Sequence, residues 1–280
     1  MIVRCWGARG SIPVSGVEYR KYGGDTTCLE IRTGQNNEIL IVDAGSGTRR
    51  LANHMLAEKR YEFSFLFTHV HWDHILGFPF FKPIYLEQAR LNIYGCPNLQ
   101  GDLEKLLART MDAPYFPVPY EVVRARLEYR HDCSESTIID GIEISSIPLS
   151  HPNMGVGYKF TENGKTFVFL TDNELEHVHR GGRSFDDYVE FARGADLLFH
   201  DSEYTPEEYP LRTTWGHSTY TTALDLALAA GVKRFGLFHH NQDRPDAGVD
   251  EMVAHCQSII AERGSNLDCF GVTQETEIRL

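Results

Sequence analysis

The chain has 280 residues, of which 42% are hydrophobic, and its formal net charge is −12. This length and composition suit a globular protein with a sizeable core, and no apolar run reaches the roughly 20 residues of a membrane-spanning helix. The acidic balance disfavours a protein that binds a large polyanion through basic patches.

The first third of the chain is predicted to form short strands joined by glycine turns. The start lacks the apolar core of a secretory signal, so we expect a cytoplasmic protein without membrane association. Residues 48–60 have helical composition, and the apolar, aromatic stretch 61–67 is a candidate buried strand. The glycines of 7–11 and 22–28 indicate tight turns, or a place where backbone approaches a ligand and Arg9 faces a phosphate.

The middle of the chain continues with a strand at 90–95 and a helix at 101–111 that starts near Asp102. Three prolines in 111–120 exclude a regular helix there. This segment is a loop or lid, whose aromatic side chains either stack on a base or pack against the core. Strand patterns follow at the stretches 137–150, 155–160 and 165–172.

The last third alternates helices and strands. Helix 185–194 leads to strand 195–201, helix 219–231 leads to strand 232–240, and a helix over 249–263 precedes two closing strands. Strands first and alternation later predict an α/β fold, a sandwich of two mixed sheets with outer helices. We expect a single domain over residues 1–280.

Six cysteines are scattered along the chain, without a CxxC pair. This pattern predicts buried free thiols rather than structural disulfides.

Residues 68–74 read THVHWDH and follow the candidate strand 61–67 directly. His69 and His71, two apart in an extended segment, project to the same side, and a turn can aim Asp73 and His74 at a neighbouring point. Imidazole and carboxylate ligands suit zinc, manganese or iron. The segment therefore predicts a metal site.

The HxHxDH pattern after a buried strand resembles the metal-binding signature of the metallo-β-lactamase superfamily. The later ligands of that family also have counterparts in order: His151 after a strand, Asp172 at the end of a strand, and His239 closing a late strand. The resemblance covers nearly the whole chain and implies the αββα sandwich of that superfamily.

The resemblance implies two divalent metal ions, with Zn²⁺ as the first choice and Mn²⁺ or Fe²⁺ as alternatives. One ion would be held by His69, His71 and His151, the other by Asp73, His74 and His239, with Asp172 bridging both. Such ions lie about 3.5–4 Å apart and lower the pKa of a shared water towards roughly 7.

His239 and His240 compete for the last ligand position. Since residues alternate along a strand, only one of them can face the site. The apolar pair Leu237 and Phe238 before it favours His239 as the ligand. His240 would then support a ligand or contact the substrate.

The segment GHST at 216–219, followed by an alanine-rich helix, resembles the phosphodiesterase branch of the superfamily. That branch includes ribonuclease Z and cyclic-nucleotide phosphodiesterases. The resemblance implies that His217 protonates the leaving oxygen or contacts the phosphate, with Asp201 orienting or charging it. The alternative makes Ser218 or Thr219 a helix N-cap and His217 a bystander. His200 or Asp201 would then serve only as support.

The predicted activity is metal-dependent hydrolysis of a small phosphodiester, with a 3′,5′-cyclic nucleotide as the leading substrate. A metal-bridging hydroxide would attack phosphorus, with Asp73, Asp201 and His217 as catalytic residues. A non-catalytic relative would have lost some of the metal ligands, whereas this set is complete. A di-iron redox scaffold would be expected to have glutamate in place of His71, so that alternative is disfavoured as well.

Two alternatives stay open: a ribonuclease Z-like tRNA 3′-processing endonuclease, and a lactone or ester hydrolase. Ribonuclease Z enzymes carry a tRNA-gripping arm, usually between the lone histidine and the bridging aspartate. Only twenty residues separate His151 from Asp172 here, so nucleic acid is the less favoured partner. Related folds commonly dimerise, which leaves a homodimer open.

Overall fold

A computed structural model describes residues 1–33, 39–131, 133–134 and 136–280. Over these residues the chain forms fourteen strands and seven α-helices. The strands are β1 (Ile2–Gly7), β2 (Cys28–Arg32), β3 (Ile39–Val42), β4 (Glu62–Leu66), β5 (Arg90–Gly95), β6 (Arg126–His131), β7 (Ser136–Ile139), β8 (Ile142–Pro148), β9 (Val156–Glu162), β10 (Lys165–Leu170), β11 (Leu197–Asp201), β12 (Arg234–Phe238), β13 (Asp268–Gly271) and β14 (Glu277–Arg279). The helices are α1 (Thr48–Ala57), α2 (Trp72–Ile75), α3 (Pro97–Gln100), α4 (Leu103–Arg109), α5 (Phe185–Ala192), α6 (Tyr220–Ala230) and α7 (Asp246–Glu262).

The strands form two seven-stranded sheets, and both are mixed. The first has the order β14-β1-β2-β3-β4-β5-β6 and the second the order β13-β12-β11-β10-β9-β8-β7. In the first sheet β1 pairs antiparallel with β2, whereas β3, β4, β5 and β6 run parallel. In the second, β10 to β13 run parallel and β7 to β10 antiparallel.

Three apolar clusters explain the layering. The first lies between the two sheets and includes Leu29, Val42, Phe160 and Phe167. The second joins the outer face of the second sheet to α5, α6 and α7, and the third joins the first sheet to α1. Burial of apolar surface on both faces of each sheet stabilises four layers. The predicted αββα sandwich of two mixed sheets is confirmed.

Helix ends follow local chemistry. The Oγ1 atom of Thr219 accepts a hydrogen bond from the backbone N–H of Thr222, which caps α6, and Gly231 ends that helix with a positive φ of 64°. Ser184 and Asp187 form a reciprocal capping box at the start of α5. No described helix is long and apolar enough to cross a membrane.

Two details of the strands were not predicted from the sequence. The stretch 137–150 is a hairpin of β7 and β8, since Asp140 and Gly141 both take positive φ between them. Strand β6 (Arg126–His131) was not predicted, because three of its residues are half-buried, the other three are exposed and none is fully buried, so it lacks a strong apolar pattern.

The expectation of six free thiols was wrong. Cys96 and Cys133 form a disulfide, with their Cα atoms 4.6 Å apart, whereas the other four cysteines are free and buried. The cause is the parallel pairing of β5 with β6, which places Gly95 opposite His131 and brings the residues just beyond them together.

Candidate metal centre and active site

The carboxyl ends of β4, β8 and β10 bring four ligand-type side chains together. His69, His71, His151 and Asp172 each offer one atom within 4.8 Å of the others. Nδ1 of His71 lies 3.0 Å from Nε2 of His151. Oδ2 of Asp172 lies 3.5 Å from Nε2 of His69 and 3.9 Å from Nε2 of His151. These four side chains are the first ligand group.

A second ligand group lies beside the first and consists of Asp73, His74, Asp172 and His239. Oδ2 of Asp73 lies 3.3 Å from Nε2 of His74 and 3.1 Å from Nε2 of His239. Oδ1 of Asp172 lies 3.2 Å from Nε2 of His74 and 3.3 Å from Nε2 of His239. All four side chains are buried.

Asp172 belongs to both groups and turns a different oxygen to each. Its Oδ2 faces the first group and its Oδ1 faces the second. Asp172 comes two residues after the end of β10 and has a positive φ of 51°, so the chain turns sharply at the sheet edge. A carboxylate so placed is able to bridge two metal ions.

The two groups fit a pair of divalent ions. The buried Nε2 atoms of His69 and His74 have no hydrogen-bond partner among the described residues, as expected of atoms that bind a metal. Donor-to-donor distances of 3.0–3.9 Å bracket the roughly 3.3 Å edge of a tetrahedron with metal–nitrogen bonds of about 2.0–2.1 Å. Burial lowers the pKa of His151 to about 3 and that of His69 well below its usual range. Burial thus favours the neutral form that metal binding requires in these two rings, whereas at His74 and His239 the nearby carboxylates, Asp172 foremost, outweigh burial and raise the pKa.

In His74, His239 and His151, the ring nitrogen Nδ1 has a polar partner outside the two ligand groups. Nδ1 of His74 lies 2.8 Å from Oδ2 of Asp43, and Nδ1 of His239 lies 3.0 Å from Oε2 of Glu203. Nδ1 of His151 lies 2.9 Å from the carbonyl oxygen of Gly216. Such partners fix the tautomer and orientation of a ligating imidazole.

Asp43 and Glu203 were missed by the sequence analysis. A usable signal existed, because each carboxylate follows closely on a buried strand, β3 or β11, as the predicted ligands also do.

The backbone conformation places the side chains of His239 and His240 in different surroundings. Strand β12 ends at Phe238, and His239 takes a positive φ of 58°, so strand alternation is not what selects it. Nε2 of His240 lies 2.8 Å from the carbonyl oxygen of Val272, and its ring contacts Tyr22. The described contacts of the His240 side chain are therefore with Val272 and Tyr22 rather than with the ligand groups.

His217 stands beside the second group. Its ring stacks on His239 with centroids 4.8 Å apart. Its Nδ1 lies 2.7 Å from Oδ2 of Asp201 and 3.5 Å from Oε2 of Glu203. Burial alone would lower the pKa of His217, but the Glu203 and Asp201 carboxylates outweigh it and raise the pKa to about 9. The ring is suited to carry a proton.

The other residues around GHST have structural contacts. Thr219 is the N-cap of α6, while the Ser218 hydroxyl donates to the carbonyl oxygen of Asn173. His200 is buried, with Nδ1 2.7 Å from the carbonyl oxygen of Asp201. Capping by Thr219 and the placement of His217 therefore occur together.

The N-terminal glycine segment does not expose Arg9 to a phosphate. Arg9 is buried and donates hydrogen bonds to the carbonyl oxygens of Gly23, Asn241 and Arg244. Gly10 lies so close to His239 that an added Cβ would be 2.4 Å from its ring. The Ser11 N–H donates to Oδ2 of Asp73 at 2.8 Å. This segment positions the second ligand group.

Comparison with known proteins agrees with this geometry. Residues 39–240 match the family described as the beta-lactamase superfamily domain. The ribonuclease Z of Haloferax volcanii is 30% identical over 251 residues, covering 73% of this chain and 76% of that protein.

Solved structures show the same fold. The metallo-beta-lactamase fold protein YhfI from Bacillus subtilis has a TM-score of 0.71 at 17% identity, covering 99% of this chain and 98% of that one. Unliganded yeast PDE1 has a TM-score of 0.70 at 13% identity, covering 100% of this chain and 99% of that one. This chain therefore belongs to the beta-lactamase superfamily, in its phosphodiesterase and nuclease family, and is a metal-dependent hydrolase.

Proposed function

We propose that the protein hydrolyses a small phosphodiester, with a 3′,5′-cyclic nucleotide as the leading substrate and zinc as the resident metal. The two ligand groups would hold one ion each and share Asp172. When bound, the two ions supply Lewis acidity and lower the pKa of a bound water towards roughly 7. The all-nitrogen and oxygen donor set is one that zinc accepts.

His217 assists the leaving group in this proposal. Because the Nδ1–H group of His217 donates a hydrogen bond to Asp201, the Nε2–H group is the one that donates a proton to the departing oxygen. An alkoxide is a poor leaving group without that proton. Glu203 adds negative charge 3.5 Å from the same Nδ1 atom, which stabilises the imidazolium form.

The observation that carries the choice of a small substrate lies between His151 and Asp172. In this stretch β9 pairs antiparallel with β10, and the hairpin is closed by Asn163 and Gly164, both at positive φ. A two-residue turn leaves no room for an RNA-gripping arm at this place. The net charge of −12 acts in the same direction.

A second candidate is endonucleolytic processing of precursor tRNA. Support for this candidate comes from the 30% identity to the Haloferax volcanii protein that is named ribonuclease Z. The catalytic groups required are the same, so the two candidates differ in how the rest of the substrate is bound.

The two candidates are separated by one hydrolysis screen with metal-loaded protein. The substrates are cyclic mononucleotides, bis(p-nitrophenyl) phosphate, a precursor tRNA and an acyl lactone. We expect cleavage of small phosphodiesters and little cleavage of the tRNA. Efficient, specific cutting at the 3′ side of the tRNA would reverse the ranking, and lactone opening without phosphodiester cleavage would overturn both.

A further inference from the structure

A cleft of about 300 Å³ opens beside His217. Its volume lies at the lower end of the roughly 300–1,000 Å³ of small-molecule sites. Ser11, Tyr204, Trp215 and Gln242 are among the residues that line it. No residue of the aromatic stretch 111–120, once a candidate for base stacking, is in its wall as far as the chain is described.

The position of the cleft defines which part of a substrate it would receive. Ser11 on its wall donates a backbone hydrogen bond to Asp73 of the second ligand group, and His217 is on the same wall. Because Ser11 and His217 line the cleft directly beside the second ligand group, a phosphodiester held at the ligand groups would extend one of its substituents into this cleft. This step rests on the proposed function.

Trp215 is a large aromatic side chain that lines the cleft. It is 58% exposed, although the backbone around it is held firmly. The buried Glu174 carboxylate accepts hydrogen bonds from the N–H groups of Thr214 and Gly216, at 2.7 and 2.8 Å. The Gly216 carbonyl oxygen in turn contacts Nδ1 of His151. The indole is thus attached to a backbone that is itself tied to the first ligand group.

One further group, the guanidinium of Arg212, favours a nucleoside as the occupant. The Arg212 guanidinium lies 4.8 Å from the Trp215 ring centroid, and arginine–aromatic pairs are common elements of base-stacking surfaces. Oε1 of Gln242 has no hydrogen-bond partner within the described part of the chain, while its Nε2 donates to Asp243. This oxygen is itself buried and is not exposed to the cleft, so the Arg212–Trp215 pair is what favours a base.

We propose that this cleft binds the nucleoside portion of the substrate and that Trp215 is the platform on which the base stacks. Trp215 then determines specificity for nucleotides over phosphodiesters that lack a base, without taking part in bond cleavage.

The first test compares Trp215→Ala, Trp215→Phe and wild type on 3′,5′-cyclic AMP and on 1-deoxyribose 3,5-cyclic phosphate, which has the same ring phosphodiester but no base. Loss of one base–aromatic stack predicts a fall of about tenfold or more in kcat/KM for cyclic AMP with Trp215→Ala, mainly through KM. Trp215→Phe should restore most of it. The loss on the substrate without a base should be several times smaller than the loss on cyclic AMP in Trp215→Ala. Equal losses on the two substrates would overturn the proposal.

The matched control is Leu211→Ala, because Leu211 is 78% exposed on the same segment but does not line the cleft. A second measurement separates the cleft from the reaction, namely calorimetric binding of AMP and of ribose 5-phosphate to metal-loaded protein. We expect AMP to bind about tenfold or more tightly than ribose 5-phosphate in wild type and Leu211→Ala, and equally in Trp215→Ala.

Equal binding of the two ligands to the wild type would refute the nucleoside cleft even if phosphodiesters are hydrolysed. If no phosphodiester is hydrolysed, the proposed function fails, and the AMP preference still decides whether the cleft holds a nucleoside.

Discussion

Oδ2 of Asp201 lies 2.7 Å from Nδ1 of His217. This ring nitrogen is therefore paired with a carboxylate, and Nε2 is the ring nitrogen that is available to a substrate. The two residues are 16 apart in sequence and come from the end of β11 and the segment before α6. This pairing gives the proposed reaction its proton donor, which lies next to the second ligand group because Asp201 and His217 each have a ligand-type atom within 4.8 Å of one in His239.

Replacing His217 should separate chemistry from metal binding. We expect His217→Ala to keep the fold and both ions and to lose about 10²- to 10⁴-fold in rate on an alkyl phosphodiester, because general acid assistance is removed. The loss should be smaller with a p-nitrophenolate leaving group, which departs without protonation.

Rates on good and poor leaving groups, together with elemental analysis, test this prediction. Equal losses on both substrates would argue for a phosphate-binding role of His217. Loss of metal would mean that His217 is itself a ligand.

Asp172 should be needed by both ions. We expect wild-type protein purified without chelator to contain about two divalent ions per chain. Asp172→Ala should lose at least one of them and nearly all activity, since its two oxygens face different ligand groups. Elemental analysis and turnover are the measurements, and two retained ions with full turnover would remove Asp172 from the centre.

Asp43 should influence the metal through His74. Asp43→Asn weakens the contact between Oδ2 and Nδ1 of His74, and changes to such supporting carboxylates typically lower metal affinity or activity about 10- to 100-fold. Metal titration of the apoprotein measures the effect. Asp102→Asn, which alters the N-cap of α4 and the ion pair with Lys105, is the control and should bind metal like the wild type. Equal affinities for all three proteins would contradict a supporting role for Asp43.

A methyl group at Gly10 should disturb the second ligand group. The added Cβ would lie 2.4 Å from the His239 ring, and overpacking of this kind typically costs about 1–3 kcal/mol. We expect Gly10→Ala to lower both the melting temperature and the metal content. Gly248→Ala is the control, because Gly248 lies in α7 with only the flexible Arg244 side chain at 3.1 Å. Unchanged metal content in Gly10→Ala would show that His239 can shift without loss of its role.

Much of the fold was predictable because it depends on local pattern. Strand β5 (Arg90–Gly95) has the predicted bounds 90–95, and α6 starts at its Thr219 cap and ends at Gly231. The spacing of His69, His71, Asp73 and His74 also predicted that these side chains converge, because a strand end and one following turn suffice to bring them together. The order of the later histidines and aspartate came from the resemblance to a family rather than from local chemistry.

Tertiary structure alone decided which groups meet across long stretches of chain. The His74–Asp43 and His151–Gly216 contacts join residues 31 and 65 apart, and the disulfide joins residues 37 apart. The choice of His239 over His240 depends on a left-handed turn that strand alternation does not predict. Local sequence specifies periodicity and caps. Which strand ends become neighbours is set by the order of strands in two packed sheets, and that order depends on burying both sheet faces together.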